Sequence, residues 1–139
     1  MATFSQSSNS RLDTCHADLQ LIMREAIKGP YDFAITCGHR PKAMQDKAYA
    51  DGASKLQWPR SKHNRIPSMA ADVTIYPVDW NDHSAFALLA GWIMATASRL
   101  REEGKVAHRL RWGGDWDTDG KVAEHAFKDF PHFELVDLV

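Results

Sequence analysis

The 139-residue sequence is short of several things, and each shortage excludes a class of protein. It has two cysteines, Cys15 and Cys37, which form neither a CxxC pair nor a disulfide framework and suit a reducing compartment. It has no excess of charge: 17 Lys and Arg against 18 Asp and Glu leave a net charge of −1. No basic run stands out either, which argues against a nucleic-acid partner, because neutralising phosphates takes a basic stripe. Long apolar runs are missing too. The longest uncharged stretch of the apolar part, Ser84 to Ser98, is too short and too rich in Ala, Ser and Thr for stable membrane insertion. The N-terminus MATFSQSSNSRLD lacks the basic and apolar regions of a signal peptide, so synthesis in a cytoplasm is expected. There is no internal repeat, low-complexity tract, HExxH or phosphate-binding glycine loop.

What is present is core material. Hydrophobic residues make up 44% of the chain, with five Trp, six Phe and three Tyr, enough for one domain with one core. Ser10 and Asp13 have capping character, and Leu12, Cys15, Leu19, Ile22, Met23, Ala26 and Ile27 recur at helical spacing up to Gly29-Pro30. Tyr31 to Cys37 alternates as a half-buried strand. Pro41 and Gly52 bracket a short helix carrying Met44, Ala48 and Tyr49. From Ala53 to Pro67 no period survives, and a loop this long in a compact domain is usually functional or disordered. Ala70 to Tyr76 reads as a second strand. Asp82 caps an apolar helix through Phe86, Leu89, Trp92, Ile93, Ala97 and Leu100 that stops at Gly104. Val106 to Trp112 and Phe133 to Leu138 are further strand candidates, with a short helix near Val122 to Phe127 between them. This order favours an α+β fold with a small antiparallel sheet over a doubly wound parallel one.

Two of the seven histidines stand at loop–strand junctions: His63 in SKHN, before the strand with Asp72, and His132 in DFPHFEL. Two nitrogens and one carboxylate oxygen form a three-ligand set that leaves a fourth position open, the pattern of a catalytic zinc site. By spacing alone, ordinary hydrogen-bonded histidines at strand ends remain the preferred reading. A second metal is suggested by Asp115, Asp117, Asp119 and Gly120, which reproduce the D-x-D-x-D-G start of a calcium loop. Its twelfth position is Ala126 instead of Glu, so a solvated acidic turn is preferred over Ca2+. His16, His83, His108 and His125 read as surface or capping residues. Trp112 and Trp116 either line a cleft or pack beneath it.

The motifs together resemble the M15 peptidases, zinc enzymes of bacterial cell walls, and within them the phage endolysin branch of L-alanyl-D-glutamate endopeptidases. YDFAITCGHRP resembles the family strand with its substrate-facing Arg; SKHNRIPSMAADV resembles the SxH…AxD zinc signature; LRWGGDWDTDG and FKDFPHFEL resemble the terminal blocks. The resemblance implies a single-domain fold of the Hedgehog and DD-peptidase type, with Zn2+ held by His63, Asp72 and His132. It also implies Asp129 as the catalytic acid/base and Arg40 on a substrate carboxylate or oxyanion; beside them Ser61 and Gln45 are expected as supporting or substrate contacts. One departure is the eight residues between His63 and Asp72, where shorter members have six and a Gly near the place of Ser68. The implied substrate is the peptidoglycan stem peptide. A monomer is expected to wait in the host cytoplasm for a holin-type partner and then act on the wall in the periplasm, with no separate wall-binding domain. The alternatives are a D-alanyl-D-alanine carboxypeptidase or dipeptidase with the same trio, and a non-catalytic zinc module on the same fold.

Overall fold

The computed structural model describes residues 2–116, 118, 120 and 129–138. Its elements are α1 (Gln6–Leu12), α2 (Ala17–Ala26), β1 (Phe33–Cys37), α3 (Lys42–Ala50), a 3-10 turn (Lys62–Asn64), β2 (Ala70–Ile75), α4 (His83–Glu102), β3 (Leu110–Gly113) and β4 (Asp129–Leu135). The four strands form one antiparallel sheet in the order β1-β2-β4-β3. This is the α+β architecture expected.

One face of the sheet carries the core. Phe33, Ile35, Ala71, Val73, Phe133 and Leu135 meet Leu19, Ile22 and Met23 of α2 and Leu89, Ile93 and Leu100 of α4, all buried. Each large aliphatic side chain removed from water there contributes about 1.5–3 kcal/mol. Because strand side chains alternate, every second residue of β2 and β4 points to the opposite face, and that face holds the polar cluster described below.

Four local expectations need correction. The first helix is two helices, capped by Ser5 and by His16. Between them Cys15 forms a β-bridge with Ser68, with His16 N–H donating to the Ser68 carbonyl and Ser68 N–H to the Thr14 carbonyl, both at 2.9 Å. The apolar spacing runs across the break because both helices face one core. On α3 the buried side chain is Gln45, while Met44 and Tyr49 are exposed. β3 begins only at Leu110, because the N–H groups of Ala107 and His108 donate to the Asp18 carboxylate and not to a strand. β4 begins earlier than expected, at Asp129, with Pro131 inside a register irregularity where no ladder donor is needed. α4 matches its expected cap at Asp82 and stop at Gly104, whose φ of 75° suits glycine. The helix expected near Val122 to Phe127 lies outside the described residues.

Candidate active site

Asp72 sits directly across from His132 in the register of β2 with β4. With Ala71, Val73, Phe133 and Leu135 turned into the core, Asp72, His132 and Glu134 share the other face. His63 arrives from the 3-10 turn. Ser61 caps that turn: its hydroxyl accepts from His63 N–H at 3.2 Å, and the Asn64 side chain accepts from Ser61 N–H at 3.1 Å. The Arg40 N–H donates to the His63 carbonyl at 2.7 Å, tying the turn to the end of β1.

Both imidazoles converge on one oxygen. His63 Nε2 is 3.1 Å and His132 Nδ1 is 3.2 Å from Asp72 Oδ1. The outer nitrogen of each ring also faces an acceptor: His63 Nδ1 lies 2.7 Å from the Gly38 carbonyl, and His132 Nε2 lies 2.8 Å from the Glu134 carboxylate. Acceptors at the outer nitrogens hold a proton there, so the inner nitrogens, which face Asp72, are the pair that would ligate a metal ion once their own protons are displaced. Glu134 is fixed in turn by Arg111 at 2.6 Å and Lys62 at 3.6 Å. The donor set therefore fits a zinc ion: two imidazole nitrogens and a carboxylate oxygen from rigid elements, backed by their own acceptors.

The same contacts set the charges of the cluster. Burial works against a charge on His63, but Asp72 outweighs it and the imidazole is pushed up to about 10. His132 is raised as well, against its burial, by Asp72 and Glu134. Burial would lift the Asp72 carboxyl, yet the two imidazoles hold it well below the usual carboxylate range. Glu134 is drawn down to about 2, its burial outweighed by His132 and Arg111. Asp129 moves the opposite way. Burial and the Asp72 charge push it up, against the pull of His132, His63 and Arg40. One carboxylate of the cluster is thus held firmly ionised while another is poised to take a proton.

Asp129 also groups with Asp72 and His132, their ligating atoms lying within 4.8 Å of one another. Its position depends on Gly113, its register partner on β3: a Cβ on Gly113 would collide with the Asp129 carbonyl oxygen. Arg40 donates to Gln45 Oε1 at 2.9 Å and to Asp72 Oδ2 at 3.5 Å. The buried Gln45 donates onward to Ser54 Oγ at 3.0 Å and the Leu56 carbonyl at 2.7 Å, so it joins Arg40 to the long loop. Trp116 lies 5.5 Å from the His132 ring and lines the cleft. Trp112 is buried beneath it, its indole donating to the Phe130 carbonyl at 2.7 Å. Asp115 accepts from Gly120 N–H at 2.8 Å, while Asp117 and Asp119 lie outside the described residues.

His63, Asp72, Asp129, His132 and Glu134 line a cleft of about 550 Å³, walled by Arg40, Leu56, Arg60, Arg111 and Trp116. A second cavity of about 480 Å³, beside Met94, Arg101 and Val106, contains none of them. Sequence reasoning missed Glu134, Arg111 and Lys62. The signal for Glu134 was available, since a residue two places after His132 on a strand must share its face.

A family model described as phage L-alanyl-D-glutamate peptidase matches residues 1–136. Among solved structures, the crystal structure of Serratia marcescens L-Ala D-Glu endopeptidase ChiX matches with a TM-score of 0.71 at 28% identity. The match covers 96% of this chain and 90% of that one.

Proposed function

The chain belongs to the phage L-alanyl-D-glutamate peptidase family, and on that premise we propose that it is an endolysin whose zinc site is His63, Asp72 and His132. It hydrolyses the peptidoglycan stem peptide at the amide between L-alanine and D-glutamate. The observation that carries the metal assignment is the convergence of two buried imidazoles on one Asp72 oxygen, each with its outer nitrogen tied to an acceptor.

A zinc ion in that set supplies Lewis acidity toward the scissile carbonyl and lowers the pKa of a water there. The remaining chemistry belongs to the chain. Asp129, raised by burial and by Asp72, accepts the proton of the attacking water and returns it to the departing amine. Arg40 holds Asp72 through one nitrogen and is braced by Gln45 through the other, which leaves further N–H groups for the carbonyl oxygen as negative charge develops on it. Glu134 keeps the His132 proton on Nε2, and Trp116 shields that ring from water.

A pair of variants tests these roles. Asp129→Ala is expected to keep zinc and lose about 10²–10⁴-fold in cleavage, whereas His132→Ala loses both. Near wild-type lysis by the zinc-loaded Asp129→Ala protein would remove Asp129 as the base.

A further inference from the structure

The cleft holds more cations than the hydrolysis needs, and their partners are unequal. Arg40 faces Asp72, and Arg111 and Lys62 face Glu134. Lys55 has a contact of its own. Arg60 lines the same cleft and is exposed, and among the described residues its guanidinium has no hydrogen-bond or ion-pair partner. Its backbone is nonetheless anchored. Arg60 N–H donates to the Gln57 carbonyl at 2.9 Å, and the next residue is Ser61, the buried cap of the His63 turn. The loop before it is pinned to α3 by Gln45 at Leu56 and Ser54, and by Lys42 stacked 5.9 Å over Trp58. A cation on a fixed wall, beside the metal ligands and without a protein anion, suits a substrate anion.

The substrate of the proposed reaction carries one. Glutamate has two carboxyl groups. When the chain continues through the side-chain carboxyl, the other stays free on the carbon that bears the scissile nitrogen. Bringing that carboxylate into the cleft strips its water and is costly without a charged donor. We propose that Arg60 is the specificity residue for this free carboxylate, pairing with the D-glutamate on the leaving side of the bond while Arg40 stays committed to Asp72 and the carbonyl oxygen. This rests on the cleavage site proposed above. The guanidinium is suited to the task because its planar fork meets both carboxylate oxygens at once. The loop from Ala53 to Pro67 thereby acquires a function: it carries the anion receptor at Arg60 and, three positions on, the metal ligand His63.

The test uses two N-acetylated stem peptides, one with the free carboxylate on D-glutamate and one with that carboxylate amidated, and the zinc-loaded full chain. Wild-type protein is expected to favour the free acid by roughly tenfold or more in kcat/KM, the range of a charge-assisted pair. Arg60→Gln should erase that preference by raising KM for the acid while leaving the amide unchanged, and Arg60→Lys should restore part of it. Equal losses on both peptides, or no loss on either, would overturn the assignment. Cleavage of neither peptide at this bond by the wild type would instead overturn the underlying cleavage site, and the Arg60 assignment with it.

Discussion

At neutral pH a metal ion entering this site must compete with protons. In the chain alone His63 is held protonated up to about 10 because Asp72 outweighs the effect of its burial, so zinc has to displace that proton. The sign follows directly: apparent zinc affinity rises as pH climbs from about 6 to about 9, and binding releases protons. Titration calorimetry in buffers of different ionisation heat measures both, and an affinity flat over that range would contradict the assignment. Glu134 offers a second test at this scale. Glu134→Gln removes the anion that fixes the His132 proton on Nε2, and zinc affinity should fall about 10–100-fold in a chelator competition while the fold is kept. His63 and His132 stood out at loop–strand junctions, but only the family motifs joined them to Asp72 as a set, because spacing alone favoured ordinary hydrogen-bonded histidines. Glu134 was not legible, because a carboxylate after a ligand reads as ordinary strand charge until register assigns it a face.

At the scale of elements, the site depends on contacts that spacing does not encode. The glycines of the WGG motif are there for closeness: Gly113 lets β3 approach the Asp129 carbonyl, and Gly114 makes room for the Trp112 ring. Gly113→Ala should displace Asp129 and lower kcat about a hundredfold, with zinc affinity nearly unchanged. Loss of zinc at the same protein stability would show that β3 supports the ligands instead. A second clamp lies across the molecule, where Asp18 accepts from Ala107 N–H at 3.0 Å, His108 N–H at 3.2 Å and the His108 ring at 2.7 Å. Burial opposes its charge, yet these donors hold its carboxyl below the usual range. Its contribution is therefore complete above the ordinary aspartate pKa and is lost as pH falls through the lowered one. Asp18→Asn should destabilise by about 1–2 kcal/mol at neutral pH, with a smaller difference in strong acid, measured by urea unfolding. The same clamp explains why β3 is shorter than its alternation suggested. Helices and strands with a strong period were legible, as α4 and β2 were. The break between α1 and α2 was not, because it is made by a bridge to Ser68, 53 positions along the chain from Cys15.

Across the whole molecule, the sheet separates two tasks. Its apolar face is packed under α2 and α4, and its polar face carries Asp72, His132 and Glu134, with His63 and the long loop closing over them. No helix among the described residues is long and apolar enough to cross a membrane, and the net charge of −1 gives little attraction to an anionic envelope. The α+β class and the antiparallel sheet were readable from element order and period. The arrangement of the cleft was not, because it arises from β2–β4 register and from a loop without a period. Zinc-dependent cleavage between L-alanine and D-glutamate can be read directly by mass spectrometry of fragments from purified murein digested with and without a chelator. Stem peptides that begin at D-glutamate are expected, lost on chelation and restored by zinc. Cleavage that survives chelation, or release of free D-alanine in place of those fragments, would contradict zinc-dependent cleavage at that bond.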